Sequence, residues 1–134
     1  MKTLMRAAGA GLLLMGGAAT AAAPPTPSGN AVHGQQLFAR CAACHTVGQT
    51  GGKIGPSLNW VVGRKAASVA GYNYSPAMKN SGLTWDPATL ARFLQAPMKV
   101  VPGTKMFFPG LPNPQDQADL TAYLKQYRAD GSKK

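Results

Sequence analysis

Apolar residues recur at helical spacing in three stretches of the chain. Leu120, Tyr123, Leu124 and Tyr127 stand at i, i+3, i+4 and i+7, one stripe of an amphipathic helix. Asn113-Pro114 supplies its start signal, and the spacing predicts a helix over 114–129. Leu90, Phe93 and Leu94 share a face behind Asp86-Pro87, which predicts a helix over 87–96 ended by Pro97. Leu37, Phe38 and Cys41 follow Asn30, a good cap, and predict a helix over 31–43. Ser75-Pro76 opens a shorter one to about Asn80.

Between these stretches the periodicity is lost. Residues 46–56 are rich in Gly, and residues 97–114 carry five prolines, so both are loops and the second is stiff. Trp60-Val61-Val62-Gly63 is apolar enough for a strand, but turn signals bound it and it has no partner. No internal repeat is visible. The expectation is an all-α fold of about four helices with long loops.

The first residues read differently. Lys2 and Arg6 precede an uncharged apolar run to Ala19, and Ala19-Thr20-Ala21 fits a small-x-small cleavage site. Residues 1–21 are expected to be a secretory signal peptide, because the run is too short and too weakly apolar for a spanning helix. Residues 22–30, with Pro24-Pro25-Thr26-Pro27, are then a flexible lead-in. Residues 31–130 form one domain, and 131–134 a frayed tail. The exported location implied is the periplasm.

Fourteen Lys and Arg against four acids give a formal net charge of +10, which favours acidic partners. Nucleic acid is a poor fit, since the cations are scattered with no run longer than two.

Two cysteines, Cys41 and Cys44, would suggest a disulfide in an exported chain. The next residue, His45, changes that reading. Cys41-Ala42-Ala43-Cys44-His45 is a C-x-x-C-H motif, the attachment signature of a c-type haem. On a helix the three side chains project from one face. Two thiols can then hold one side of the macrocycle while the imidazole reaches the iron. A thioredoxin-type redox pair needs a βαβ setting that is missing. A structural zinc site needs a fourth ligand, and only His33 is spare. One covalent haem c is therefore expected.

The second axial position decides the chemistry. Beyond the leader the chain offers Met78, Met98, Met106 and His33. Met106 lies in the proline-stiffened loop, far in sequence from His45, so the chain can wrap the ring and return from the opposite face. Met98 reads as a surface residue, Met78 as a core filler, and His33 as solvent-facing.

These residues resemble the small soluble class I cytochromes c, mitochondrial type and bacterial periplasmic branch. The resemblance runs from Gly34 to Lys125. It rests on Gly34-Gln35-Gln36-Leu37-Phe38, the haem motif with Thr46, Gly55-Pro56-Ser57-Leu58, Gly63-Arg64-Lys65, Tyr72-Asn73-Tyr74, Gly82-Leu83-Thr84-Trp85, Pro102-Gly103-Thr104-Lys105-Met106 and Leu120-Thr121-Ala122-Tyr123-Leu124. It implies His45 and Met106 as axial ligands. It also implies a Pro56 carbonyl accepting from the ligand imidazole, and Arg64, Tyr74 and Trp85 hydrogen-bonding a buried haem propionate. The first and last helices should pack together, with Gly34 permitting close approach and Leu37 or Phe38 meeting Leu120, Tyr123 and Leu124.

Three positions depart from the family pattern. Phe93 stands where Tyr is common and Met78 where Asn is common, which makes the Met106 side more apolar. Trp60 replaces a Gly. It is expected to pack over the haem-side loop, the other reading being an exposed contact residue, and a positive φ there would strain it.

The function implied is single-electron carriage rather than enzymatic turnover. Lys53, Lys99, Lys105 and Arg40 are candidates for a basic ring around an exposed haem edge. The partners implied are a quinol–cytochrome c reductase or periplasmic dehydrogenase as donor, and a terminal oxidase or photosynthetic reaction centre as acceptor. The chain is expected to be monomeric, with no stable membrane insertion. The contrasting hypotheses are a haem peroxidase or gas-binding sensor with a labile sixth ligand, and a relay subunit fixed in a complex.

Overall fold

The computed structural model describes residues 27–134; the leader reading lies outside them. Five helices are described where about four were expected: α1 (Ala31–Phe38), α2 (Pro76–Lys79), α3 (Pro87–Gln95), α4 (Pro97–Val100) and α5 (Pro114–Leu124). Among the described residues there is no strand, only the isolated bridges Lys65↔Thr84 and Tyr127↔Lys133.

The helix starts follow the sequence signals. Asn30 accepts from the Val32 and His33 N–H groups, Ser75 from Met78, Asp86 from Thr89 and Asn113 from Gln115. Each cap satisfies backbone donors that the helix leaves unpaired.

The ends differ. α1 stops at Phe38, and the chain continues in turns, with Cys41 N–H bonded to Phe38 O at 2.8 Å and His45 N–H to Cys41 O at 2.9 Å. These turns keep Cys44 and His45 about one helical turn beyond Cys41. α4 was read as loop. Ala96 leaves the helical region, at φ −152° and ψ 77°, because proline disfavours a helical residue before it, and Pro97 then suits a new first turn.

α1 crosses α5 at Gly34, which is buried; a Cβ there would collide with the Asp119 carbonyl and Tyr123. Phe38 meets Tyr123 with ring centroids 5.5 Å apart. The core gathers Leu120, Leu124, Leu111, Val101, Phe93, Leu94 and Trp85.

Both flanking segments are better held than expected. The Ser28 carbonyl accepts from Gln115 Nε2 at 2.9 Å, and Gly29 abuts Ala118. The tail makes hydrogen bonds of its own. Asp130 accepts from the Ser132 N–H at 2.9 Å, Gly131 turns at φ 87°, and Lys134 N–H reaches Gln126 O at 2.8 Å. An aspartate that bonds two residues ahead and a left-handed glycine make a turn that short sequence windows read as disorder.

Candidate cofactor site

A cavity of about 310 Å³ opens between the segment 40–64 and the segment 72–108. Cys41, Cys44, His45, Pro56, Arg64, Tyr74, Trp85 and Met106 all line it. Two of the remaining candidates for the second axial position fall outside it. Met98 is exposed, and His33 lies on α1 against Asp119, with Nδ1 and Oδ2 2.7 Å apart. Neither lines the cavity. Met78 is buried and does line it.

His45 is fixed from outside the cavity. Its Nδ1 lies 2.8 Å from Pro56 O, so the carbonyl assigns the proton to Nδ1 and leaves Nε2 a lone pair. Gly55 approaches the imidazole so closely that a Cβ would strike the ring. The Gly55 N–H in turn bonds Cys44 O at 2.7 Å. Burial pushes the His45 pKa down, the Pro56 bond opposes this, and the Arg64 charge adds to the lowering. The neutral imidazole that results is the form that binds metals. Burial also pushes the Cys41 thiol up, against the lowering effect of Arg40.

Arg64 brings a charge into the wall. Its Nη1 donates to Asn59 O at 2.7 Å and Nη2 to Ser57 O at 3.1 Å. Its buried Nε has no partner among the described residues. Tyr74 Oη accepts from Val69 N–H at 3.2 Å, leaving its own proton to donate elsewhere. Trp85 is buried with its ring 4.8 Å from Phe93.

Met106 hangs on a braced loop. Its N–H bonds Thr104 Oγ1 at 3.2 Å, and Thr104 N–H bonds Val101 O at 3.0 Å. Gly103 takes φ 91°, a turn that only Gly makes without strain. Lys105 Nζ reaches across to Asn73 O at 2.6 Å.

The donor set fits a haem. A neutral imidazole and a thioether suit iron, two thiols stand beside them, and the walls are apolar. An orphaned buried Arg64 N–H with Tyr74 and Trp85 suits a carboxylate.

Sequence reasoning missed part of the lining. Ser75 and Thr104 are buried polar residues of the wall, and Ile54 and Phe107 stand at the mouth, 76% and 87% exposed. Thr104 sat inside a motif already quoted. The exposed pair carried no signal, since a loop sequence does not say which apolar residue faces water.

The basic ring is partial. Arg40 and Lys105 line the cavity, with the Arg40 guanidinium 5.3 Å from the Phe108 ring centroid. Lys53 folds back onto Ala42 O at 2.9 Å, and Lys99 does not line the cavity. Trp60 does not pack over the haem-side loop. It is 52% exposed at φ 52°, because its N–H is drawn to Tyr127 O at 3.2 Å and the left-handed backbone turns the indole outward.

Comparison with known proteins agrees with this geometry. The Cytochrome c family model matches residues 31–128. A cytochrome c2 of Rhodoblastus acidophilus is 58% identical over 102 residues, 75% of this chain and 94% of its own. A cytochrome c2 of Rhodomicrobium vannielii is 53% identical over 114 residues, 84% of this chain and 91% of its own. The solved cytochrome cH from Methylobacterium extorquens matches with a TM-score of 0.68 at 50% identity, covering 72% of this chain and 98% of that one. The chain therefore belongs to the class I cytochromes c and is an electron-carrying protein with one covalent haem c.

Proposed function

We propose that His45 and Met106 are the two axial ligands of the haem held by Cys41 and Cys44, and that the protein is a carrier rather than an enzyme. When bound, the haem iron supplies reversible one-electron chemistry between ferrous and ferric states. His45 is held for this by Pro56, and Met106 by the brace through Thr104 and Lys105. Arg64, Tyr74 and Trp85 hold the buried propionate. Two such ligands would leave no position on the metal for a substrate, and the group would then supply electron transfer alone.

The observation that carries this reading is the convergence on one cavity of an imidazole oriented by a carbonyl and a thioether on a stiff loop. Its test is the far-red absorbance of the ferric protein. A weak sulfur-to-iron band should be present and should vanish in Met106→Ala. Its absence from the intact protein at neutral pH would return the peroxidase or gas-sensor hypothesis to first place. No observation now favours that alternative: His33, the spare imidazole, is tied to Asp119 outside the cavity.

The partners proposed are acidic redox complexes outside the cytoplasm: a quinol–cytochrome c reductase or periplasmic dehydrogenase as donor, and a terminal oxidase or reaction centre as acceptor. Arg40 and Lys105 at the mouth support this chemistry, and the leader-like residues 1–21 support export. No helix among the described residues is long and apolar enough to cross a membrane.

A further inference from the structure

The chain is strongly basic, yet the two helices that cross at Gly34 are not. Neither α1 nor α5 contains a Lys or Arg, and α5 carries Asp116 and Asp119. These are two of only four acidic residues in a sequence of net charge +10. The other two acids serve backbone: Asp86 caps α3, and Asp130 closes the turn at Ser132. Asp119 does so with one oxygen. Its Oδ1 accepts from the Asn30 N–H and from Gln115 Nε2, while Oδ2 faces His33 Nδ1 at 2.7 Å. Asp116 stands half-buried one turn before Asp119 and forms no ion pair among the described residues. A negative charge suits the first turn of a helix, but the helix does not require that charge to stand beside an imidazole. One ligand atom from each of His33, Asp116 and Asp119 lies within 4.8 Å of the other two.

We propose that His33, Asp116 and Asp119 form a divalent transition-metal site across the α1–α5 crossing. The ion replaces the proton between His33 Nδ1 and Asp119 Oδ2, Asp116 supplies the third ligand, and water completes the shell. The imidazole then carries its proton on Nε2. One imidazole nitrogen with two carboxylate oxygens is a donor set that suits Zn²⁺ and its late first-row neighbours. Bonds of about 2.0–2.2 Å set neighbouring ligand atoms roughly 3–3.5 Å apart. His33 Nδ1 and Asp119 Oδ2 are already inside that distance, and the partly exposed His33 and Asp116 close the rest by side-chain rotation. Asp119 Oδ1 keeps both of its donors, so the carboxylate is oriented before the ion arrives. None of the three residues lines the haem cavity, so the site is separate from the electron-carrying one. Its ligands come from both ends of the described residues, and only the folded chain brings them together; the ion therefore stabilises the folded state by mass action.

The test is calorimetric titration of Zn²⁺ into the untagged ferric holoprotein, in which the Cys41 and Cys44 thiols are joined to the cofactor and do not compete. The wild type should bind one ion. His33→Gln and Asp116→Asn should each bind it roughly tenfold more weakly or worse, since even an outer-shell partner is worth that much. Asp130→Asn, which removes an acid elsewhere, should match the wild type. Saturating Zn²⁺ should raise the melting temperature of the wild type and leave that of Asp116→Asn unchanged. Asp116 forms no ion pair that the fold needs, so this variant keeps the test usable if His33→Gln does not fold. The absence of one-to-one binding in the millimolar range would overturn the proposal. So would equal affinity, or an equal rise in melting temperature, in Asp116→Asn and wild type, which would mark an adventitious ion only.

Discussion

Asp119 and Asn30 lie 89 positions apart in sequence, yet the Asn30 N–H donates to Asp119 Oδ1 at 2.7 Å. The same carboxylate accepts from Gln115 Nε2 at 2.8 Å and faces His33 Nδ1 at 2.7 Å. One buried aspartate thus fastens the start of α1 to α5. The Asn30 bond, then those of His33 and Gln115, hold its carboxyl below the ordinary 3.8. A depressed pKa adds stability that is fully present above the unfolded value and is lost as pH falls through the folded one. Asp119→Ala should therefore lower the melting temperature at pH 7, with the gap to wild type closing as the pH falls below about 4. Thermal melts at several pH values check this; a gap independent of pH would refute the account.

Gly34→Ala tests the helix crossing. The added methyl would meet the Asp119 carbonyl, which is backbone and cannot swing aside. A loss of about 1–3 kcal/mol is expected from overpacking, read by denaturant unfolding of the holoprotein. The far-red band should survive, because Met106 lies on a different loop.

Trp60 offers the opposite sign. At φ 52° the indole sits in a backbone region that costs an L residue about 1–2 kcal/mol, and half of its surface faces solvent. Trp60→Gly should stabilise the protein by about 1 kcal/mol. A lower melting temperature in the variant would mean that the indole makes contacts worth more than its strain.

The mouth of the cavity separates two contributions to docking. Arg40→Gln should slow association with an acidic redox partner and flatten its dependence on salt, because steering is electrostatic. Phe107→Ala should leave the salt dependence alone and speed dissociation by removing an 87% exposed apolar contact. Stopped-flow electron transfer across a range of ionic strength distinguishes the two.

Much of the site was legible in the sequence because its chemistry is compressed into local motifs. Cys41, Cys44 and His45 announce attachment by spacing alone, and Pro56 and Met106 sit in short runs whose glycines and prolines fix their backbones. The caps Asn30, Ser75, Asp86 and Asn113 were readable for the same reason. What escaped depended on distant partners. The folding of residues 131–134 needs Gly48 and Asn59 to receive Gly131, and no local window contains them. Of the two readings of Trp60, packing over the haem-side loop and an exposed contact residue, the structure shows the exposed one, and the backbone there bonds Tyr127, 67 positions on. α4 was hidden by Pro97, which stops one helix and starts the next.

The α1–α5 crossing also bears on the order in which the molecule is assembled. The two helices are separated by most of the chain, so their contact closes a long loop and is slow to form. Once it has formed, the two ends of the described residues are held as one unit, so that neither helix can loosen without releasing the other.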